Sequence, residues 1–221
     1  MSGFYTLNEL KNLGVALPKN PTHIFISKKA SLYNAQHISV GNYVRIDDFV
    51  ILSGKIELGS FIHIGAGASL SGGEAGIVLE DFCGLSQRVS LFSSSDDYSG
   101  ESLTNPMIPA RFKRLSTARL VLQRHSIVGA GSVVLPSSGG LSEGVSVGAL
   151  SLITRPTKPF GIYFGAPARR ILERSRDLLS LEKAFLATLQ DDIFTGGGEQ
   201  VILSRAKAQT PQTTQGSPYA A

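Results

Sequence analysis

The chain of 221 residues has one cysteine, two methionines, no tryptophan and four histidines. A single cysteine, Cys83, excludes an intramolecular disulfide and argues against a thiolate zinc site. Charged residues are 17% of the chain, against about 25% in an average soluble protein, which argues against a charge-rich helical bundle. No apolar run reaches the ~18 residues that a bilayer span needs. The opening MSGFYTLNELKNLG lacks a charged segment leading into an apolar one, so a secretory leader is not expected and a cytoplasmic protein is. The net charge is only +4. Its one basic run, Arg111, Lys113, Arg114, Arg119 and Arg124, has no interleaved aromatic stripe and no nucleic-acid motif beside it. That run suits a small phosphorylated molecule better than nucleic acid.

Glycine is plentiful, and 18 of its 24 copies fall between Gly41 and Gly165. The same region carries a repeat. Aliphatic residues recur at every sixth position as Val40, Ile46, Leu52, Leu58, Ile64 and Leu70. After a slip through GGEAGIV the phase resumes at Leu79, Leu85 and Leu91, then at Leu122, Val128 and Val134, and at Val147 and Ile153. A helix repeats every ~3.6 residues and a strand every ~2, so neither accounts for a period of six. Short strands joined by tight corners do, if each sixth residue points inward. Three such sides close one coil of eighteen residues, and stacked coils bury each other's backbone at about 4.8 Å spacing. Val44, Val50, Ile56, Ile62 and Ala68 then share the interior, and glycine or asparagine is expected at corners of positive φ.

The hexads VGNYVR, IDDFVI, LSGKIE, LGSFIH and IGAGAS, the later IVGAGSVVLP and VGALSLITRP, and the closing GIYFGAPARRI resemble the hexapeptide-repeat acyltransferases. In layout the chain resembles their galactoside, maltose and surface-polysaccharide O-acetyltransferase branch. The resemblance implies an all-β solenoid, a left-handed parallel β-helix over residues 22–170, broken by an excursion loop at 93–118. Around it, residues 1–21 form an N-terminal segment with a short helix capped by Thr6, carrying Leu7, Leu10 and Leu13. A C-terminal helix is expected over 171–192 and a polar, flexible tail over 193–221.

The resemblance further implies a homotrimer that binds acetyl-CoA in grooves between subunits. The positions matching its CoA contacts are Ala130, Ala149, Thr154, Arg155 and Arg169. Small side chains at the first two admit the pantetheine arm, and the arginines suit its phosphates. In such enzymes a histidine of the excursion loop deprotonates the acceptor hydroxyl. Here that loop, SSSDDYSGE, has none. Asp96 and Asp97 stand in the region as alternative bases or as turn formers, and His125 and His63 are the remaining candidate bases. Tyr98, Asn105 and Arg111 are candidate contacts to a carbohydrate or nucleotide-sugar substrate.

The resulting expectation is acetyl transfer to a carbohydrate hydroxyl in surface-polysaccharide (lipopolysaccharide or capsule) biosynthesis. Two alternatives stay open. An amine is already a good nucleophile when deprotonated and asks less of a base, so N-acetylation of a nucleotide-linked amino sugar also fits. A non-catalytic β-helix scaffold is the other. No metal is expected, because His37, His63 and His125 lack the spacing of a three-histidine site.

Overall fold

The computed structural model describes residues 3–195, with side chains placed through Leu189. The hexads fold into short parallel strands that stack on three faces. On the first face run Ile24–Ile26, Val44–Ile46, Ile62–Ile64, Gly84–Leu85, Ile127–Val128, Ser146–Val147 and Gly161–Phe164, one per coil. Strands Ile51–Leu58 and Ser69–Leu79 are long enough to run from the second face to the third, bending where their mutual register shifts. The sixth-position aliphatics stack in register, with Ile46 over Ile64 and Ile64 over Leu85. Every one of them is buried, and so are Val44, Val50, Ile56, Ile62 and Ala68. Each fully buried aliphatic contributes about 1.5–3 kcal/mol through removal from water, and the solenoid axis is one continuous core of such residues.

The corners meet the glycine and asparagine expectation in part: Asn34, Gly67, Gly131 and Gly144 have positive φ, but other residue types take it as well. Among the described residues eleven non-glycine residues have positive φ, and most of them, Asn105 of the excursion apart, fall in columns. One column is His23, Tyr43, Phe61, Phe82 and His125, with φ between 51° and 63°. Their rings stack coil on coil with centroids 4.9, 4.8, 4.6 and 5.1 Å apart. The repeat glycines just before these corners serve a different purpose. A Cβ on Gly41 would lie 2.5 Å from the Gly59 carbonyl oxygen, and one on Gly129 would lie 2.5 Å from the Ala149 nitrogen. Glycine is needed there because the next coil's backbone passes too close for a side chain.

The excursion leaves after strand Ser90–Phe92 and returns before Leu120–Leu122. Its neck is a two-residue antiparallel pairing of Ser94–Ser95 with Ser116–Thr117. At the N-terminus, helix Leu7–Asn12 starts at Thr6, whose side chain and that of Glu9 cap each other's backbone N–H. Of Leu7, Leu10 and the C-cap Leu13, Leu10 alone is buried; Leu7 and Leu13 are exposed. The expected helix from Ile171 begins later. Residues Arg169–Glu173 form an antiparallel strand on Gly161–Phe164, because a chain returning along the last coil meets unpaired edge backbone. Arg174 then donates from one nitrogen to the carbonyls of His125 and Gly144 at 2.7 and 3.1 Å. The helix itself spans Asp177–Thr195, in a separate compact unit from Met1–Ser175. The expected tail from 196 onward lies outside the described residues.

His125 is 8% exposed and rests on Phe82. Burial, then the charges of Arg124 and Arg174, hold its pKa below the ordinary value. A histidine with a lowered folded pKa contributes stability at high pH that is lost as pH falls below its unfolded value of about 6.5. Thermal melts from pH 8 to pH 5 should therefore show His125→Phe losing less stability than wild type on acidification. Gly59→Ala should lower the melting temperature at every pH, because its Cβ would sit 2.5 Å from Asp81 Oδ1 and 3.0 Å from the Asp81 nitrogen.

Candidate active site

A groove of about 420 Å³ runs along the edge of the first face, across five successive coils. Its outward row is Arg45, His63, Gly84, Ile127 and Ser146, since side chains alternate along each strand and the neighbours of these residues point inward. Gly84 has no side chain to fill the space between His63 and Ile127, and the groove opens there. Ser86, Gln87 and Gly129 continue its lining toward the next corner.

At one end lies the polar network of the groove. His63 Nε2 is 2.8 Å from Asp47 Oδ2, and Arg45 Nε donates to Asp47 Oδ1 at 2.8 Å. Arg45 and His63 are register partners on adjacent coils, and Asp47 follows Arg45 by two residues. Burial pushes the Asp47 carboxyl up, but hydrogen bonds and charges from Arg45 and His63 outweigh it and hold the carboxyl below its ordinary value. The His63 side chain is 56% exposed.

The structure separates the other expected site residues. His125 sits in the ring column and does not line this groove. Ala130 and Ala149 stack directly at the groove-side corner, the Leu150 N–H donating to the Ala130 carbonyl at 2.9 Å. Thr154 and Arg155 follow strand Leu152–Ile153 on another side, and Arg169 begins the capping strand. Tyr98 is 92% exposed in the excursion. Asn105 is a turn residue whose Oδ1 accepts from the Met107 N–H at 2.9 Å.

Asp97 is also occupied locally. It accepts from the Ser99 N–H at 2.8 Å and the Ser102 hydroxyl at 3.0 Å, and these bonds hold its carboxyl at about 2. A carboxylate that acidic is a poor proton acceptor near neutrality. Asp96 lies partly buried beside it.

The basic run is dispersed. Arg114 pairs with Glu101, Arg119 with Glu57 and Arg124 with Asp81, while Arg111 lies over the Phe112 ring. Arg111, Phe112, Lys113 and Arg114 line a second depression within the excursion. Cys83 is buried and its thiol is pushed up to about 12 by that burial, which makes it inert as a nucleophile.

Sequence reasoning singled out His63 but missed Asp47, Ser86 and Gln87. Each follows an inward aliphatic, after Ile46 or Leu85, and that offset was the available signal. No helix among the described residues is long and apolar enough to cross a membrane.

A parallel solenoid of hexad coils with an edge groove, one excursion and a capping hairpin is the architecture expected of a β-helix acyltransferase. No protein-family model matches the chain. A dTDP-4-amino-4,6-dideoxy-D-glucose acyltransferase of Escherichia coli is 39% identical over 166 residues, which is 74% of this chain and 85% of that enzyme. AntD, an N-acyltransferase from Bacillus cereus solved with dTDP and 3-hydroxybutyryl-CoA, is 43% identical, with a TM-score of 0.81 over 86% of this chain and 100% of AntD. A serine variant of AntD, solved with dTDP-4-amino-4,6-dideoxyglucose and coenzyme A, is 42% identical with a TM-score of 0.79 over 85% of this chain and 100% of AntD. The chain belongs to the left-handed β-helix acyltransferases, alongside these amino-sugar enzymes.

The Asp97 bonds shape the turn that opens the excursion, so Asp97→Ala should expose this segment. Limited proteolysis should cut the variant between residues 96 and 115 faster than wild type, with the coil strands protected in both.

Proposed function

We propose that the protein transfers an acyl group from coenzyme A to the amino group of a nucleotide-linked amino sugar, with a dTDP-linked 4-amino-4,6-dideoxyhexose as the substrate class. The observation that carries this reading is the 39% identity to the Escherichia coli enzyme across 85% of its length. The AntD complexes support it with both halves of the reaction, a dTDP-amino sugar and an acyl-CoA. The excursion without a histidine agrees with an amine acceptor, which needs less from a base than a hydroxyl. Hydroxyl acetylation of a polysaccharide, the first expectation from sequence, has no such support. An acylated nucleotide sugar still serves polysaccharide assembly one step earlier, as an activated building block.

In the transfer, the amine lone pair attacks the thioester carbonyl carbon and forms the new C–N bond. Collapse of the tetrahedral adduct breaks the C–S bond, and the proton lost from nitrogen ends on the coenzyme A thiol. The groove that holds Ser86 and His63 is our site for this exchange. Acyl-CoA follows the corner of Ala130 and Ala149 toward the next side, where Thr154 and Arg155, with Arg169 of the capping strand, receive its far end and phosphates, in a homotrimer. Acetyl is the simplest acyl group. The 3-hydroxybutyryl-CoA bound by AntD makes a longer one an equal candidate.

AntD has been solved with a serine replaced and with an aspartate ten residues later replaced. Ser86 and Asp96 share that spacing here, as do Ser71 and Asp81. Ser86 lines the groove, so the first pair is our assignment. Ser86 donates to the thioester oxygen, and Asp96 accepts an amine N–H and orients it. Tyr98, Asn105 and Arg111 remain proposed contacts to the sugar nucleotide.

Incubating the purified chain with dTDP-4-amino-4,6-dideoxyglucose and acetyl-CoA or 3-hydroxybutyryl-CoA should release free thiol and yield the amide by mass spectrometry. Equal thiol release with the 4-hydroxy sugar nucleotide refutes the N-acyl reading. Ser86→Ala and Asp96→Asn should each lower kcat by about 10-fold or more, on the scale of lost transition-state hydrogen bonds. Gly84→Val should raise the KM for acyl-CoA without unfolding the chain, because a Cβ at Gly84 meets only Ile127 Cγ2, at 3.7 Å.

A further inference from the structure

We propose that His63 is the proton acceptor of the transfer, and that Asp47 and Arg45 are positioning residues acting through it. The assignment rests on the N-acyl reading above and adds which group takes the amine's proton. Among the side chains lining the groove, Asp47 and His63 are the titratable ones. The strand on one side of His63 supplies Arg45, bonded to Asp47, and the strand on the other side supplies Gly84 and Leu85, which carry no charge. Asp96, which the reading above places on the amine as an orienting acceptor, does not line the groove, and no other lining side chain competes for the proton.

The geometry also fixes the tautomer. Asp47 is ionised, so it can only accept, and the neutral His63 ring must then donate from Nε2 to Oδ2 across 2.8 Å. Nδ1 is left as the acceptor nitrogen. Arg45 holds the other carboxylate oxygen at 2.8 Å, so Asp47 cannot swing away from the ring. Protonation at Nδ1 makes an imidazolium that Asp47 stabilises, the arrangement by which a buried carboxylate supports a catalytic histidine elsewhere. His63 takes the proton as the C–N bond forms and returns it to the departing sulfur as the C–S bond breaks. The balance is neutral, with no co-reactant beyond amine and thioester. A structural role explains the network less well. His63 projects outward with its side chain 56% exposed, and the strand beneath it is held by Ile62 and Ile64 in the core.

The test measures kcat and KM for wild type, His63→Gln, Asp47→Asn and the double variant, with dTDP-4-amino-4,6-dideoxyglucose and acyl-CoA. His63→Gln should lower kcat about 100-fold, within the usual range for general-base loss, with the KM for acyl-CoA within about twofold. Asp47→Asn should lower kcat about 10-fold, and the double variant should be no worse than His63→Gln alone, as for residues that act as a unit. Added imidazole should restore part of the turnover of His63→Ala. His63→Gln turning over at the wild-type rate overturns the assignment while leaving the N-acyl reading intact. Full additivity of the two losses removes Asp47 from the relay. A wild-type chain that acylates no amino sugar refutes the functional reading and this assignment with it.

Discussion

Everything in this molecule depends on corners that L-amino acids disfavour. A residue in the left-handed backbone region costs about 1–2 kcal/mol relative to the right-handed one, and the coil repeats that cost at column after column. It is offset by what the corner permits. Each coil closes flat enough for its strands to pair with the coils above and below, and inward aliphatics fall on one axis. Ring stacking at one column adds attraction between consecutive corners, about 0.5–1.5 kcal/mol per aromatic pair beyond area burial. Tyr43, Phe61 and Phe82 occupy a strained backbone because their neighbours in the stack occupy it too.

The groove follows from the same regularity. Strict stacking places equivalent outward residues in a row, so one glycine in that row, Gly84, leaves a notch bounded by the coils either side. Arg45 and His63 face each other only because they hold equivalent places on adjacent coils, and Asp47 reaches both because it lies just past the strand end. A side-chain network of this kind is set by coil register more than by any loop, which gives it a rigid base.

The interior was legible from sequence because six-residue spacing is a direct image of coil geometry. Every sixth-position aliphatic from Val40 to Ile153 is buried where the period put it. The corners were read only in part: glycine does hold positive φ at Gly67, Gly131 and Gly144, but its freedom there hid the corners that larger residues take. The pattern contains no sign that Phe61 or His125 would take that backbone until their stacking is seen. Local signals explain the other differences. Ile171 and Leu172 looked like the start of an amphipathic helix, but the unpaired edge of the last coil captured them as strand. The site was only partly readable: His63 was visible as an outward histidine, whereas its link to Asp47 crosses 16 residues of sequence. For an amine over a hydroxyl acceptor the support comes from relatives, not from residue pattern.

A parallel solenoid has two open ends, each offering bare peptide groups to which another chain of the same kind can add. In this protein both ends are stoppered. Leu10 of the short N-terminal helix is wholly buried against the core, and Ala16 pairs with the first coil at Ser39. At the other end strand Arg169–Glu173 runs antiparallel, so the next layer it could template has the wrong direction for another coil, and Arg174 ties it to two coil carbonyls. Edges covered in this way limit end-to-end growth into fibres, so a fold with the cross-strand repeat of an amyloid ends after seven coils as a discrete molecule.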